Sequence, residues 1–163
     1  MKSFKLVPIG AAFAWFVAAS APAFAVTVTP AGPISLSGAT ALTKSGNAIG
    51  CQARLVGTIS GTGEISISSA VFTGANLCSL VTATNLPWTG HVTNASNLTL
   101  NNVGVDVAIP VIGGQCESTA INATIAQNTK QKETTIGLSN QPLSGGCSVS
   151  GTLTTTPVLN VDG

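Results

Sequence analysis

Apolar and polar residues alternate with period two through long stretches of this chain. Val103, Val105, Val107 and Ile109 alternate with Gly104, Asp106 and Ala108. Ile65 and Ile67 alternate with Ser66 and Ser68, and Cys147, Val149, Gly151 and Leu153 with Ser148, Ser150 and Thr152; Leu98 and Leu100 flank Thr99. Successive side chains of a strand point to opposite faces, so this spacing sends one set to a core and the other to water. The abundant Val and Thr carry branched Cβ atoms that pack well on a pleated surface. Gly, Pro, Asn and Ser interrupt the pattern at 30–33, 45–47, 61–63, 101–102, 110–114 and 140–146. Short strands between turns at intervals of about 8–12 residues are the signature of a sandwich or barrel. The pattern predicts strands near 26–29, 33–37, 51–59, 63–73, 87–94, 96–101, 103–109, 118–126, 134–139 and 147–154, with a last one over 157–161. The expected fold is all-β: a single antiparallel β-sandwich or partly closed barrel.

Three stretches are less clear. In 117–128 Ile121 and Ile125 also fit a helical pair, but Ala123 between them, and Asn122 and Thr124 at the even positions, favour a strand. The stretch 75–82 suits one short helical turn. The charged cluster 127–133, QNTKQKE, reads as a solvated loop.

The first 25 residues differ from the rest. Lys2 and Lys5 make a positive start, Ile9 to Ala19 an apolar run, and Ala23-Phe24-Ala25 a small-x-small end. That order is a secretory signal peptide, and its apolar run is too short to span a membrane comfortably. The expected division is a signal peptide over 1–25 and one β domain over 26–163, secreted, at the cell surface or in a periplasm. No transmembrane segment is expected after position 25.

The 26–163 portion carries four basic residues, Lys44, Arg54, Lys130 and Lys132, against five acidic ones, a net charge of −1. Disorder is excluded by so little charge among so many aliphatics. A nucleic-acid partner is not expected, since Arg54 is the only Arg and no basic stripe exists. Phe72 and Trp88 are the only aromatics after position 25, too few for the girdles of an outer-membrane barrel. Four cysteines, Cys51, Cys78, Cys116 and Cys147, follow the expected cleavage point. An even count in an exported chain predicts two disulfides. Three pairings exist; the expectation is Cys51–Cys78 and Cys116–Cys147, each bracketing a hairpin. With no C-x-x-C and one His, no metal site is expected.

Catalytic chemistry is hard to find. A triad would have to use His91, the single imidazole, with Asp106, Asp162, Glu64, Glu117 or Glu133 behind it. There is no nucleophile elbow, P-loop, dinucleotide fingerprint or H-E-x-x-H. No catalytic residue, no cofactor and no enzymatic activity are expected. The candidate contact for a hydrophobic surface is the segment Leu86, Pro87 and Trp88, although a lone Trp is also a natural core anchor.

The order of several short motifs resembles the Pra-type bacterial activators of alkane oxidation. These are T-P-A-G-P-I-S-L-S-G at 29–38, Cys51 opening a strand, V-F-T-G at 71–74 before Cys78, L-P-W-T-G at 86–90, and G-T-L-T at 151–154 after Cys147. The resemblance implies a secreted, non-enzymatic protein that assists n-alkane use by contacting hydrophobic surfaces or emulsifying hydrocarbon. It brings no catalytic residues. The alternative is a pilin-like or matrix subunit that self-associates through β-strands, which low charge and the short strand at 26–29 also suit.

Overall fold

A computed structural model describes residues 25–163. The expected signal peptide lies outside the described residues, Ala25 apart. The described residues form eleven strands and one 3₁₀ turn: β1 (Thr27–Thr29), β2 (Gly32–Lys44), β3 (Asn47–Ile59), β4 (Glu64–Gly74), the 3₁₀ turn (Asn76–Leu80), β5 (Val81–Thr84), β6 (Trp88–Asn94), β7 (Asn97–Val107), β8 (Gly114–Asn128), β9 (Glu133–Leu143), β10 (Cys147–Thr156) and β11 (Asn160–Asp162).

The ladders run β7-β6-β4-β3-β2-β10-β9-β8, and β8 pairs back onto β7. This closes an eight-stranded antiparallel barrel, with β5 as an extra strand. Of the two architectures expected, the barrel is the one formed. β7 is long enough to serve two partners on one edge: β6 along Asn97–Asn101 and β5 along Gly104–Val107. Asn102 sits between them with φ 57°. Before it Leu98 and Leu100 are buried, and after it Val103, Val105 and Val107. What reads in sequence as a turn is thus a kink that shifts the inward phase by one residue within a continuous strand.

The alternation resolves into inside and outside. Along β3, Ile49, Cys51, Ala53, Leu55, Gly57 and Ile59 are buried, and the residues between them are exposed. The outer positions of β3 and β6 include Gln52, Arg54, Thr58, Thr89, His91 and Thr93. An apolar interior under a polar exterior is the reverse of a lipid-facing barrel. At one end β1 and β11 pair with each other, and Val28, Leu159 and Val161 join the core as a plug. At the other end lie Lys44 and both disulfides.

β2 runs seven residues beyond its expected end at Ser37, through Gly-Ala-Thr-Ala-Leu-Thr-Lys to Lys44. Small residues there give little alternation to read, and pairing on both sides by β3 and β10 supplies the strand. Gly38 has a structural reason: a Cβ on it would run into the carbonyl oxygen of Thr152 on β10. Gly57 stands in the same relation to the carbonyl of Ser66 on β4, beside a bulge in the β3–β4 ladder. Glycines of this kind let strands bend sharply around a narrow barrel. Gly38→Val is expected to destabilise by about 1–3 kcal/mol or more, because the obstacle is backbone and cannot rotate away. An unchanged urea midpoint would show that the wall accommodates the side chain.

Candidate functional site

Both disulfides form in the expected pairing, Cys51–Cys78 and Cys116–Cys147, with Cα separations of 5.7 and 5.8 Å. They occupy the half of the barrel where the wall is least completely laddered. β4 pairs with β6 only over Glu64–Ile67, so its continuation to Gly74 faces β5 across a seam. The Cys51–Cys78 bridge ties the 3₁₀ turn beside that seam to β3. The ladder between β8 and β9 covers only Thr124–Asn128 and Glu133–Gly137. Nearer the disulfide end those two segments are joined only at isolated points: Gln141 Oε1 accepts from the Asn122 amide at 2.8 Å, Ser144 Oγ from the Glu117 amide at 3.2 Å, and the Glu117 carbonyl from the Ser144 amide at 2.7 Å. The Cys116–Cys147 bridge links β8 to β10 across this weak stretch.

Lys44 ends β2 beside that second bridge and is 5% exposed. Its Nζ donates to the carbonyls of Gly145 at 3.0 Å and Gln115 at 3.4 Å, and lies 3.6 Å from Cys147 Sγ. Carbonyl dipoles, rather than a carboxylate, hold this charge. Gly145 has φ +72°, and a Cβ there would run into the Gln115 carbonyl. Sequence reading missed Lys44 as a buried group; its position opposite Asn47 at a hairpin end gives no signal of burial.

The expected contact segment divides between surface and core. Leu86 and Pro87 are exposed, whereas Trp88 is 4% exposed. The Trp88 indole Nε1 donates to the Thr84 carbonyl at 2.7 Å, linking the start of β6 to the end of β5. Trp88 therefore belongs to the core wall beside the seam, with only its two predecessors facing solvent.

His91 is exposed on the outer face of β6, opposite Glu64 of β4 and Thr99 of β7. Glu117 accepts a hydrogen bond from Asn85 Nδ2 at 2.9 Å, and Glu133 one from Thr154 Oγ1 at 2.9 Å. Among the described residues no three His, Cys, Asp or Glu side chains gather as a metal site would require.

Among the described residues, three of the six exposed large apolar side chains lie toward the disulfide end, the others being Val56, Leu86 and Val158. Leu77 lies on the 3₁₀ turn, Val71 on the adjoining part of β4, and Val111 on the loop between β7 and β8. The Ala108 amide donates to the Leu80 carbonyl at 2.8 Å, joining that loop to the 3₁₀ turn. Val111 is 104% exposed, and its φ is 75°. A β-branched residue in the left-handed region is strained, and here no burial compensates.

Comparison with protein families matches residues 1–163 to the alkane oxidation protein activators, PraA/PraB-like. Comparisons with curated proteins and with solved structures found no match.

Proposed function

Since the chain belongs to the PraA/PraB-like family of alkane oxidation activators, we propose that it is exported and assists n-alkane use without catalysis, by adsorbing to hydrocarbon. Family membership over the whole chain is the observation that carries this reading. The skin of the barrel supports it. Outward positions are mostly Thr, Ser, Asn and Gln, so few charges would be desolvated on contact with oil, and charge desolvation is the costly part of adsorption. Each Å² of apolar surface removed from water contributes roughly 25 cal/mol. Leu77, Val71 and Val111 give the disulfide end an apolar edge, and the bridges there restrain unfolding at an interface. Two disulfides also fit an oxidising compartment.

The fold favours this reading over strand-mediated assembly. β1, the strand such assembly would recruit, is already paired with β11, and closure consumes most of the other strand edges.

Purified protein is expected to lower hexadecane–water interfacial tension more than an inert globular protein of equal size. A matching curve for the two proteins would end the proposal. Val111→Asn should reduce adsorption while leaving stability unchanged or slightly raised, because Asn tolerates the left-handed backbone. Added protein should also restore growth on hexadecane to a strain lacking it. Regular filaments by electron microscopy would favour the self-associating alternative.

A further inference from the structure

The two bridges differ in what surrounds their sulfurs. At Cys51–Cys78 the polar atom beside Cys78 Sγ is the Gly50 carbonyl oxygen, at 3.2 Å. At Cys116–Cys147 a cation stands there: Lys44 Nζ lies 3.6 Å from Cys147 Sγ. This cation is held in place by the fold. Lys44 is 5% exposed, and Gly145 and Gly146, both at φ 72°, carry the chain around its head so that the Gly145 carbonyl meets Nζ at 3.0 Å. With the Gln115 carbonyl at 3.4 Å, the three partners of Nζ are two dipoles and a neutral sulfur.

None of the three carries a negative charge, and the adjoining acids do not supply one. Glu117 follows Cys116 on β8 and accepts from Asn85 Nδ2 on the outer side of the wall. Asp106 on β7, opposite Gln115, points outward between the buried Val105 and Val107. A buried charge is ordinarily paired. Among the three partners of Lys44, the one that can become an anion is Cys147 Sγ, and it does so when the bridge opens.

We propose that Cys116–Cys147 is a thiol–disulfide exchange site for dithiols, with the Lys44 ammonium as counter-ion of the Cys147 thiolate. A neighbouring cation makes a cysteine both the better leaving group and the more stable thiolate. In the first step one sulfur of the dithiol, as thiolate, bonds to Cys116 Sγ; the Cys116–Cys147 bond breaks and its electron pair leaves on Cys147 Sγ. In the second, the other sulfur of the dithiol attacks the one joined to Cys116, and that electron pair passes to Cys116, which takes a proton. The dithiol is oxidised by two electrons to a cyclic disulfide, and the bridge is reduced by two. Of the dithiol's two protons, one ends on Cys116 and the other in solvent.

Cys116 is 0% exposed, so entry requires β8 to open locally. The stretch that carries Cys116 is the one joined on its β9 side only at isolated points. The Gly145 carbonyl lies 3.5 Å from Cys147 Sγ and opposes the thiolate, but a full charge outweighs a dipole at like range. Reduction also differs from removal of the bridge. It keeps the sulfur and gives it the charge that Lys44 lacks, whereas alanine leaves the ammonium with carbonyls alone.

The test is a redox titration of the purified protein in mixtures of reduced and oxidised dithiothreitol, with each cysteine quantified by alkylation and mass spectrometry. Lys44→Met should need about a tenfold higher ratio of reduced to oxidised reagent to open Cys116–Cys147, about 30 mV, and should leave Cys51–Cys78 where it was. The second readout needs no variant. In the reduced native protein the pH midpoint for Cys147 alkylation should lie about one unit below that of the same cysteine in urea. An unshifted ratio in folded Lys44→Met overturns the proposal, as does a shift of both bridges together, which would mark a general loss of packing. A native midpoint equal to or above the unfolded one overturns it too, and a protein that unfolds on reduction would give that result. Should Lys44→Met not fold, the midpoint alone decides. No oil surface enters either measurement, so a protein inert at the hexadecane–water interface would defeat the adsorption reading without touching this one.

Discussion

Replacing Trp88 with alanine is expected to lower stability by about 3–5 kcal/mol, the range for deleting a large buried aromatic. Trp88 is one of two aromatics in the core wall and lines an apolar cavity of about 90 Å³ inside the barrel. Truncation would enlarge a void that already exists, so little collapse can offset the lost contacts. It would also strip the Thr84 carbonyl of the indole N–H at the junction of β5 and β6. Urea denaturation followed by far-ultraviolet circular dichroism measures the effect. A loss below about 1 kcal/mol would mean that the side chain is not packed as described, because surface substitutions fall in that range. Leu86→Ala, one turn residue away and exposed, is the matched control and should change stability little. The pair separates the two roles that Leu86-Pro87-Trp88 can play: Trp88 for the core and Leu86 for the surface.

Removing the Cys116–Cys147 bridge by a double change to alanine should cost about 2–5 kcal/mol. The bridge closes a sequence separation of 31 residues, against 27 for Cys51–Cys78. By chain entropy alone the two bridges would be nearly equal, because the term grows only logarithmically with loop length. Their surroundings differ. Without Cys147 Sγ, the Lys44 ammonium loses one of its three neighbours while remaining enclosed. The β8–β9 wall near this bridge is also joined at isolated points instead of by a continuous ladder. Loss of Cys116–Cys147 should therefore be the more damaging, and amide exchange should rise first in the disulfide-end part of β8, residues 114–123. Uniform exchange across the barrel, or a greater loss from the Cys51/Cys78 variant, would contradict this account of where the wall is weak.

Much of the barrel was legible because its signal is local. Period-two alternation located β4, β6 and β10 closely and found β3 and β9 with one end four residues short, and the short helical turn expected within 75–82 is the 3₁₀ turn Asn76–Leu80. The ambiguous 117–128 lies within strand β8. Errors came where a strand is defined by its partners. β2 extends through small residues because β3 and β10 flank it, and β7 continues through Asn101 and Asn102 because β8 pairs with it along nearly its whole length. The candidate contact segment was visible as a segment, but its division was not, since burial of Trp88 depends on β5 and β6 meeting beside β7.

Alternation, turn residues and an even set of cysteines in a low-charge chain were enough to determine an antiparallel β domain with two bridges. All of these are properties of neighbouring residues or simple counts. Closure of the sheet by β7 and β8, the pairing of the first strand with the last, the burial of Lys44 and the unfilled apolar interior were decided only in three dimensions. Each depends on residues distant in the chain arriving at one place. A single strand carries its own period, but it holds no record of which edge will meet it or how much space eight aliphatic walls leave between them.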